Sequence, residues 1–268
     1  MTPDPAQEAL FQKALESEDR AFREILLVGL AARQEIADQL RHLNTEYQTF
    51  VLTMAERAVE EALTEFAKLA AQEQTAHFGR MWGWGQAVAD VPLVTIGLTP
   101  SLVGANEQVL RSLQGYAASQ VRGLTAEEIR RLSDGIRVGI LAGRTTTEIE
   151  RAVLGDLRTF SAGDADFGHL ERRTLTIVRT EGGNVMNTAH ELQFRDDRRL
   201  LPSLGKAWWT NMDGRERESH AEMNGERANA EGFFDLRGVL CVGPHDARLP
   251  AREVVHCRCR AYAVMPDN

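Results

Sequence analysis

The sequence lacks the features of secreted and membrane-spanning proteins. Its 268 residues include only three cysteines, all within the last thirty residues, which cannot form a disulfide framework for a chain of this size. No apolar run reaches the roughly 18–20 residues needed to cross a bilayer, and the N-terminus has no basic segment followed by an apolar one. We therefore expect a soluble, non-secreted protein with reduced thiols.

An excess of positive charge is also missing. The formal net charge is -8 and the sequence pI is near 5.5, which argues against a protein that wraps nucleic acid through a broadly basic surface. Aromatic residues are sparse at 6 %, but 43 % hydrophobic residues are enough to build a core. The composition therefore indicates a folded chain with no extended basic face.

The first 80 residues have the periodicity of helices. Apolar residues recur at alternating spacings of four and three on one stripe, namely Ile36, Leu40, Leu43, Tyr47, Phe50 and Met54. Proline is absent between Pro5 and Pro92, so nothing forces an early break. Two interpretations remain open: two or three core helices of a bundle, or a long helix that docks on partner subunits.

Residues 79–104 have a different composition, with several glycines and prolines around Trp82 and Trp84. This pattern predicts a loop. The loop either fills a hole between helices or inserts into a neighbouring subunit. Paired tryptophans in a glycine-rich segment favour the interface.

Helical patterns resume after residue 104. Thr125–Glu128 has the form of a capping box, Gly143 predicts a helix stop, and Thr145–Glu148 opens another short predicted helix. A Ser/Gly/Asp stretch, Ser161–Asp166, precedes a predicted helix over 168–196. After Pro202, short apolar runs alternate with turn residues. The predicted fold is mainly α, with a helical N-terminal two-thirds and a small α+β module at about 203–268. We expect a helical interaction region over 1–114 and a second domain over 115–268.

The C-terminal third holds the densest set of reactive side chains. His220, Cys257 and Cys259, with one of Cys241, His245 or His256, could bind a structural zinc ion. The Cys-x-Cys spacing is not that of a zinc finger. Alternatively, both thiols face a core from one closing strand.

A catalytic interpretation uses overlapping residues. Asp213, His220, Glu222, His245 and Asp246 could serve as metal ligands and general base in a metal-dependent hydrolase or nuclease. The sequence contains no H-E-x-x-H, G-x-S-x-G or phosphate-binding glycine loop to support it. Asp213 followed by Gly214 is equally typical of a turn in which Asp213 pairs with Arg215 or Arg217. We therefore expect no enzymatic activity.

Arginines are frequent in the C-terminal half. They could contact DNA phosphates, but interspersed acidic residues favour a salt-bridged surface. The residues concerned are Arg195, Arg198, Arg199, Arg215, Arg217, Arg258 and Arg260.

The order of these residues resembles the phage Mu F-like head-morphogenesis family. In both, a Lys-x-Trp segment leads to an Asp, Arg and His segment, then a glycine turn, a Pro- and Asp-containing turn and a terminal Cys-Arg-Cys. Here the positions are Lys206, Trp208, Asp213, Arg215, Arg217, His220, Asn224-Gly225, Asp246, Cys257, Arg258 and Cys259. The helix with Arg179-Thr-Glu181 fits as well, and the resemblance spans about residues 115–265.

The resemblance implies a minor head protein in the virion, near the portal inside the head, and in the host cytoplasm during assembly. The implied partners are the portal protein and the major capsid protein, with DNA as a further candidate and neither a membrane nor a small-molecule substrate. Some relatives carry this domain fused to a toxin or an ADP-ribosyltransferase.

Overall fold

The computed structural model describes residues 2–42, 48–100, 107–154 and 167–266. In the second of these ranges the side chains are described from residue 50 onward, and in the fourth from residue 173 onward. The fold is mainly α with a small α+β C-terminal end, as predicted. No described helix is long and apolar enough to cross a membrane. The elements are α1 (Pro5–Arg41), α2 (Gln48–Thr95), α3 (Glu107–Leu141), α4 (Thr146–Leu154), α5 (Phe167–Leu200), β1 (Gly205–Trp209), α6 (Glu218–Glu222), β2 (Phe234–Leu236), β3 (Val239–Cys241), α7 (Ala251–Val254) and β4 (Arg260–Val264).

Some predicted features lie outside the described residues. These are the Ser161–Asp166 connection, the stripe positions Leu43 and Tyr47, and residues 101–104 of the predicted loop. Within the described ranges, α1 ends at Arg41 and α2 begins at Gln48. Phe50 and Met54 are exposed and so do not continue the buried stripe of Ile36 and Leu40.

The capping signals had different outcomes. The helix predicted to open at Thr145–Glu148 is α4, and it starts with a capping box: Thr145 N donates to Glu148 Oε2 at 2.8 Å and Glu148 N donates to Thr145 Oγ1 at 3.3 Å. Gly143 has a φ of 67° just after α3, as a helix stop requires. The capping box predicted at Thr125–Glu128 is wrong, because Thr125 lies inside α3. Its hydroxyl donates to Val121 O at 2.9 Å, one turn back in the same helix.

The loop predicted over 79–104 is also wrong for residues 79–95, which continue α2. Gly85 is needed because α5 passes very close: a Cβ there would lie 2.2 Å from Met186 O. Trp82 is only 5 % exposed and Trp84 is half-buried. Glycine here serves helix packing rather than a turn.

Pro92 is accommodated in α2 through a contact with the N-terminus. A proline has no N–H to donate to the carbonyl four residues back, which is that of Val88. Gln7 Nε2 donates to Val88 O at 3.0 Å and to Ala263 O at 2.9 Å, from a buried position. The long-range hydrogen bond satisfies the carbonyl that the proline leaves free.

The chain forms two compact units, each assembled from separate segments. Unit 1 comprises Met1–Arg20, Thr75–Gly115 and Thr176–Asn268, and unit 2 comprises Ala21–Gln74 and Tyr116–Leu175. The N-terminal residues join unit 1 because Phe11 stacks on Trp209 at 4.7 Å and packs edge-on against Tyr262. The first helix is thus part of the core that supports the C-terminal module.

The C-terminal module contains two small antiparallel sheets. β1 pairs with β4, with Gly205 opposite Val264 and Trp209 opposite Arg260. β2 and β3 form a hairpin whose turn residues, Arg237 and Gly238, both have positive φ, as a tight two-residue hairpin loop requires. A buried cluster closes the module, made of Trp208, Met223, Phe234, Leu236, Cys241, Leu249, Cys257 and Cys259.

Candidate functional site

The two halves of the C-terminal motif meet at a salt bridge. Arg258 donates to both carboxylate oxygens of Asp213, at 2.5 and 2.7 Å, across 45 positions of sequence. Arg215 adds a contact of 2.7 Å to the same carboxylate. The Arg258 guanidinium, helped by Arg215, holds the pKa of Asp213 well below its usual range. Asp213 and Arg258 therefore join the turn after β1 to the segment before β4.

His220, Cys257 and Cys259 converge beside this salt bridge. The Nδ1 atom of His220 lies 3.6 Å from Cys257 Sγ and 3.4 Å from Cys259 Sγ. All three side chains are at least 97 % buried. Among the described residues, this is the group of histidine, cysteine or carboxylate side chains whose ligand atoms lie close enough together to hold a metal ion.

Short local structures position the three side chains. His220 lies on α6, and its ring meets Trp208 edge-on at 5.8 Å. Arg217, just before α6, donates to Val255 O at 2.5 Å and so fixes α6 against the end of α7. The chain then turns through His256, which has a φ of 59°, and brings Cys257 under the histidine.

Glu253 faces the far side of the imidazole. Its Oε2 lies 3.1 Å from His220 Nε2, although off the ideal hydrogen-bond direction, and it accepts a hydrogen bond of 3.0 Å from Ser219 Oγ. Burial opposes ionisation of Glu253, but Ser219 and the nearby His220 and Arg217 outweigh it and lower its pKa. A carboxylate at this place favours the proton on Nε2 and leaves the Nδ1 lone pair toward the sulfurs.

The two thiols differ in acidity. Burial would raise the pKa of Cys259, but the Cys257 thiol, His220 and the Thr210 hydroxyl stabilise its thiolate and bring its pKa well below the usual value. Thr210 Oγ1 lies 3.5 Å from Cys259 Sγ. Burial and the neighbouring Cys259 raise the pKa of Cys257. The two sulfurs therefore lie next to a ring nitrogen, and thiolate and imidazole groups together are ligands that bind zinc.

Residues 130–262 match the family model described as Phage Mu protein F like protein, about half of the chain. The chain belongs to the Phage Mu F-like family. It is also 24 % identical over 139 residues to "NAD(+)--arginine ADP-ribosyltransferase EFV" of Enterococcus faecalis (strain ATCC 700802 / V583). That similarity covers 52 % of this chain but 26 % of the relative, so the chain spans about a quarter of that protein. No solved structure matches the chain.

The Mu F-like segment extends from α3 to β4 and contains the whole cluster. Of the four residues predicted to bind zinc, the structure brings three together, namely His220, Cys257 and Cys259. Cys241 lies on β3 opposite Phe234, in the apolar core and outside the group of three. Burial raises the pKa of its thiol to about 11. Cys241 is one of three candidates for the fourth zinc ligand, and the structure does not bring it to the other three residues.

The other two alternatives are also placed elsewhere. His245 is buried, with a φ of 63°, and burial lowers its pKa to about 3. His256 Nε2 contacts Thr176 Oγ1 at 2.9 Å. Neither histidine belongs to the group formed by His220, Cys257 and Cys259.

Several motif residues of the Mu F-like segment have structural contacts. Trp208 is fully buried against Phe234. Asp246 accepts from Val242 N at 2.6 Å and pairs with Arg248, so it holds a turn. The hydrolase interpretation grouped Asp213, Glu222, His245 and Asp246 with His220, but these four do not join the group that the structure assembles.

The seven arginines considered for DNA binding all have partners within the chain. Five form salt bridges and two donate to backbone carbonyls. The pairs are Arg195–Glu191, Arg199–Asp196, Arg215–Asp213, Arg258–Asp213, Arg260–Glu18, Arg198–Ala230 O and Arg217–Val255 O. This pattern favours the salt-bridge interpretation over a phosphate-binding surface.

Sequence reasoning missed the residues that support the cluster. Glu253, Ser219 and Thr210 contact the ligand atoms or orient them. Glu18 pairs with Arg260, the residue after Cys259, and both side chains are about 98 % buried or more. The only sequence signal for Glu253 was its position four residues before Cys257, and Glu18 carried none.

Proposed function

We propose that this Mu F-like protein is a minor head component that binds the portal protein and the major capsid protein during head assembly, without catalytic activity of its own. Family membership supports the role in head morphogenesis. The contacts of the motif side chains support the absence of catalysis. Asp213, Arg215, Arg217 and Arg258 are occupied with one another or with the backbone. The cleft that the three arginines border has a volume of only about 20 Å³, which is too small for a substrate.

A surface for these partners remains at the end of α2. Val94, Ile96 and Leu98 are 59 %, 47 % and 41 % exposed, in the same apolar segment that the sequence marked as an interface. Neighbouring exposed apolar groups are costly in water and are typical of protein–protein contacts. Trp82 is buried and is needed for packing, so Trp84 and the three aliphatic residues are the better interface candidates.

Quantitative mass spectrometry of purified procapsids and mature particles tests this role. We expect the protein in both, at a copy number far below that of the major capsid protein. Its absence from procapsids and particles alike would contradict a head role. Deleting the gene should leave fewer DNA-filled heads, counted by electron microscopy.

Pull-down of the portal protein tests the surface. Ile96→Asp places a charge in the apolar patch and should reduce capture, while Arg57→Glu, on an exposed face of α2 in unit 2, should not. Equal capture by both variants would remove this patch from the interface. The same assay with the major capsid protein distinguishes the two partners.

Two enzymatic alternatives have direct tests. The name of the Enterococcus faecalis relative motivates an assay for transfer of labelled ADP-ribose from NAD+ to arginine-containing proteins. The His220 cluster motivates a DNA-cleavage assay with several divalent metals. We expect no turnover in either assay. Activity that His220→Ala abolishes would replace the assembly proposal with a catalytic one.

A further inference from the structure

The buried group of His220, Cys257 and Cys259 has the donor set of a zinc site. Thiolate and imidazole ligands in a tetrahedral arrangement are those that zinc prefers in proteins. We propose that His220 Nδ1, Cys257 Sγ and Cys259 Sγ bind one Zn²⁺ ion, which links α6 to the segment between α7 and β4. This inference concerns the isolated chain and does not depend on the head-assembly role.

The distances already match such an ion. Zinc bonds of about 2.3 Å to sulfur and about 2.0–2.1 Å to nitrogen, at tetrahedral angles, place sulfur and nitrogen roughly 3.5 Å apart. The His220 Nδ1 atom lies 3.6 and 3.4 Å from the two sulfurs. Both nitrogen–sulfur distances therefore match those around a bound zinc ion, and all three ligand atoms lie within 4.8 Å of one another.

The surrounding groups are those that a thiolate–imidazole site needs. Glu253 lies against the imidazole nitrogen that faces away from the sulfurs, and metal-binding histidines commonly place this second nitrogen against a carboxylate. Thr210 Oγ1 lies 3.5 Å from Cys259 Sγ, and the backbone N–H of Cys259 donates to Cys257 Sγ at 3.4 Å. The backbone N–H thus stabilises negative charge on Cys257 Sγ, whereas the Thr210 hydroxyl donates its proton to His220 O at 2.7 Å.

The fourth coordination position would be taken by water. A small cleft of about 20 Å³ borders the group, lined by polar residues that include Thr210, Asn211 and Arg217. That volume accommodates about one water molecule. Cys241 lies outside the group, so it would not complete the coordination.

The ion would give the module a cross-link that its short elements need. His220 is separated from the two cysteines by 37 and 39 positions. The sheets contain only two strands each and α6 and α7 are five and four residues long. Small modules of this kind commonly rely on a metal or disulfide, because their own apolar core is limited.

Metal analysis of the purified, untagged full chain tests the proposal. After reconstitution with Zn²⁺ under reducing conditions and gel filtration, we expect one zinc ion per chain in the wild type and in Cys241→Ser. Cys257→Ser and Cys259→Ser should lose it. Cys241→Ser is a matched control, because Cys241 is also a buried thiol of the same core cluster.

Cobalt substitution keeps the test valid if a cysteine variant fails to fold. Co²⁺ bound to the wild-type chain should show the thiolate-to-metal absorption and intense visible bands of a tetrahedral site with two sulfur ligands. Glu253→Gln, which keeps the ligands, should bind zinc about 10–100-fold more weakly. A wild-type chain that takes up no zinc or cobalt, or whose Cys257 and Cys259 form a disulfide, overturns the proposal.

Discussion

Units 1 and 2 both consist largely of helices, but they place charged groups differently. Unit 2 has ion pairs at the surface, such as Arg57–Glu61 and Arg173–Glu127, in which every side chain is more than 40 % exposed, and the buried Glu128 pairs with a partly exposed Arg131. In unit 1, Glu18 and Arg260 form an ion pair that is almost fully buried, and Lys206 pairs with Glu191 from a buried position. Surface pairs contribute little to stability, whereas a buried charge without its partner is strongly destabilising.

The histidines show the same contrast. His77, His190 and His245 belong to unit 1, and burial lowers the pKa of each to about 3. Burial thus favours the neutral form of all three rings. In unit 1, the buried ionisable groups therefore include both partners of an ion pair and three neutral histidines.

The largest expected effect comes from breaking the buried ion pair. Glu18→Gln leaves the Arg260 guanidinium buried without a countercharge, so the free energy of unfolding should fall by about 3–5 kcal/mol. Glu61→Gln, which removes an exposed partner of Arg57, should leave the denaturation midpoint unchanged. Urea denaturation followed by circular dichroism measures both. Equal midpoints for the two variants would show that the contrast between the units has no energetic meaning.

A second comparison concerns the close helix contacts of each unit. In unit 1, a Cβ on Gly85 would meet the backbone oxygen of Met186, while in unit 2 a Cβ on Gly139 would lie 2.6 Å from the side chain of Ile149. The Ile149 side chain is buried and β-branched, but it can shift more readily than the backbone carbonyl of Met186. Gly85→Ala should therefore cost about 3 kcal/mol and Gly139→Ala about 1–2 kcal/mol, because alanine also favours the helix.

Thermal unfolding of the two alanine variants measures this difference. A lower melting temperature for Gly139→Ala than for Gly85→Ala would reverse the prediction. Gly115→Ala serves as a control, since a Cβ there meets no atom within 4 Å.

The smallest effect concerns pH and the two carboxyl groups Asp90 and Asp197. Burial, followed by the charge of Asp197, raises the pKa of Asp90 to about 7. The folded protein thus retains a proton that the unfolded chain releases above about pH 4, so the carboxyl group destabilises the fold most above pH 7. Asp90→Asn does not titrate and should be more stable than the wild type at pH 8, by about 1–2 kcal/mol after allowance for solvent screening.

This advantage of Asp90→Asn should shrink as the pH falls from about 7 to about 4, because the wild-type carboxyl group then becomes protonated in both states. Denaturation curves at pH 8, 6 and 5 measure the trend. If the stability difference between Asp90→Asn and the wild type were the same at all three pH values, Asp90 would have the ordinary pKa of an aspartate. Asp38→Asn, on an exposed part of α1, is the control.

Local signals in the sequence predicted much of the fold. Periodicity predicted the helices, since the burial of one face follows from spacing alone. Gly143 and the Thr145–Glu148 capping box fixed the end of α3 and the start of α4, because their hydrogen bonds are local. The order of motif residues identified the family and named His220, Cys257 and Cys259 as one site.

Only the tertiary structure decided the remainder. The glycines and Pro92 led to the wrong prediction of a loop over residues 79–95. The sequence does not show that α5 approaches Gly85, nor that Gln7 donates to the carbonyl that Pro92 leaves free. It also does not show that Cys241 lies outside the group formed by His220 and the other two thiols. Glu18 pairs with Arg260, which lies 242 positions away in the sequence, and Glu253 lies against His220, which is 33 positions away. The sequence by itself therefore determined the helices and the ligand types, and long-range packing decided which side chains meet.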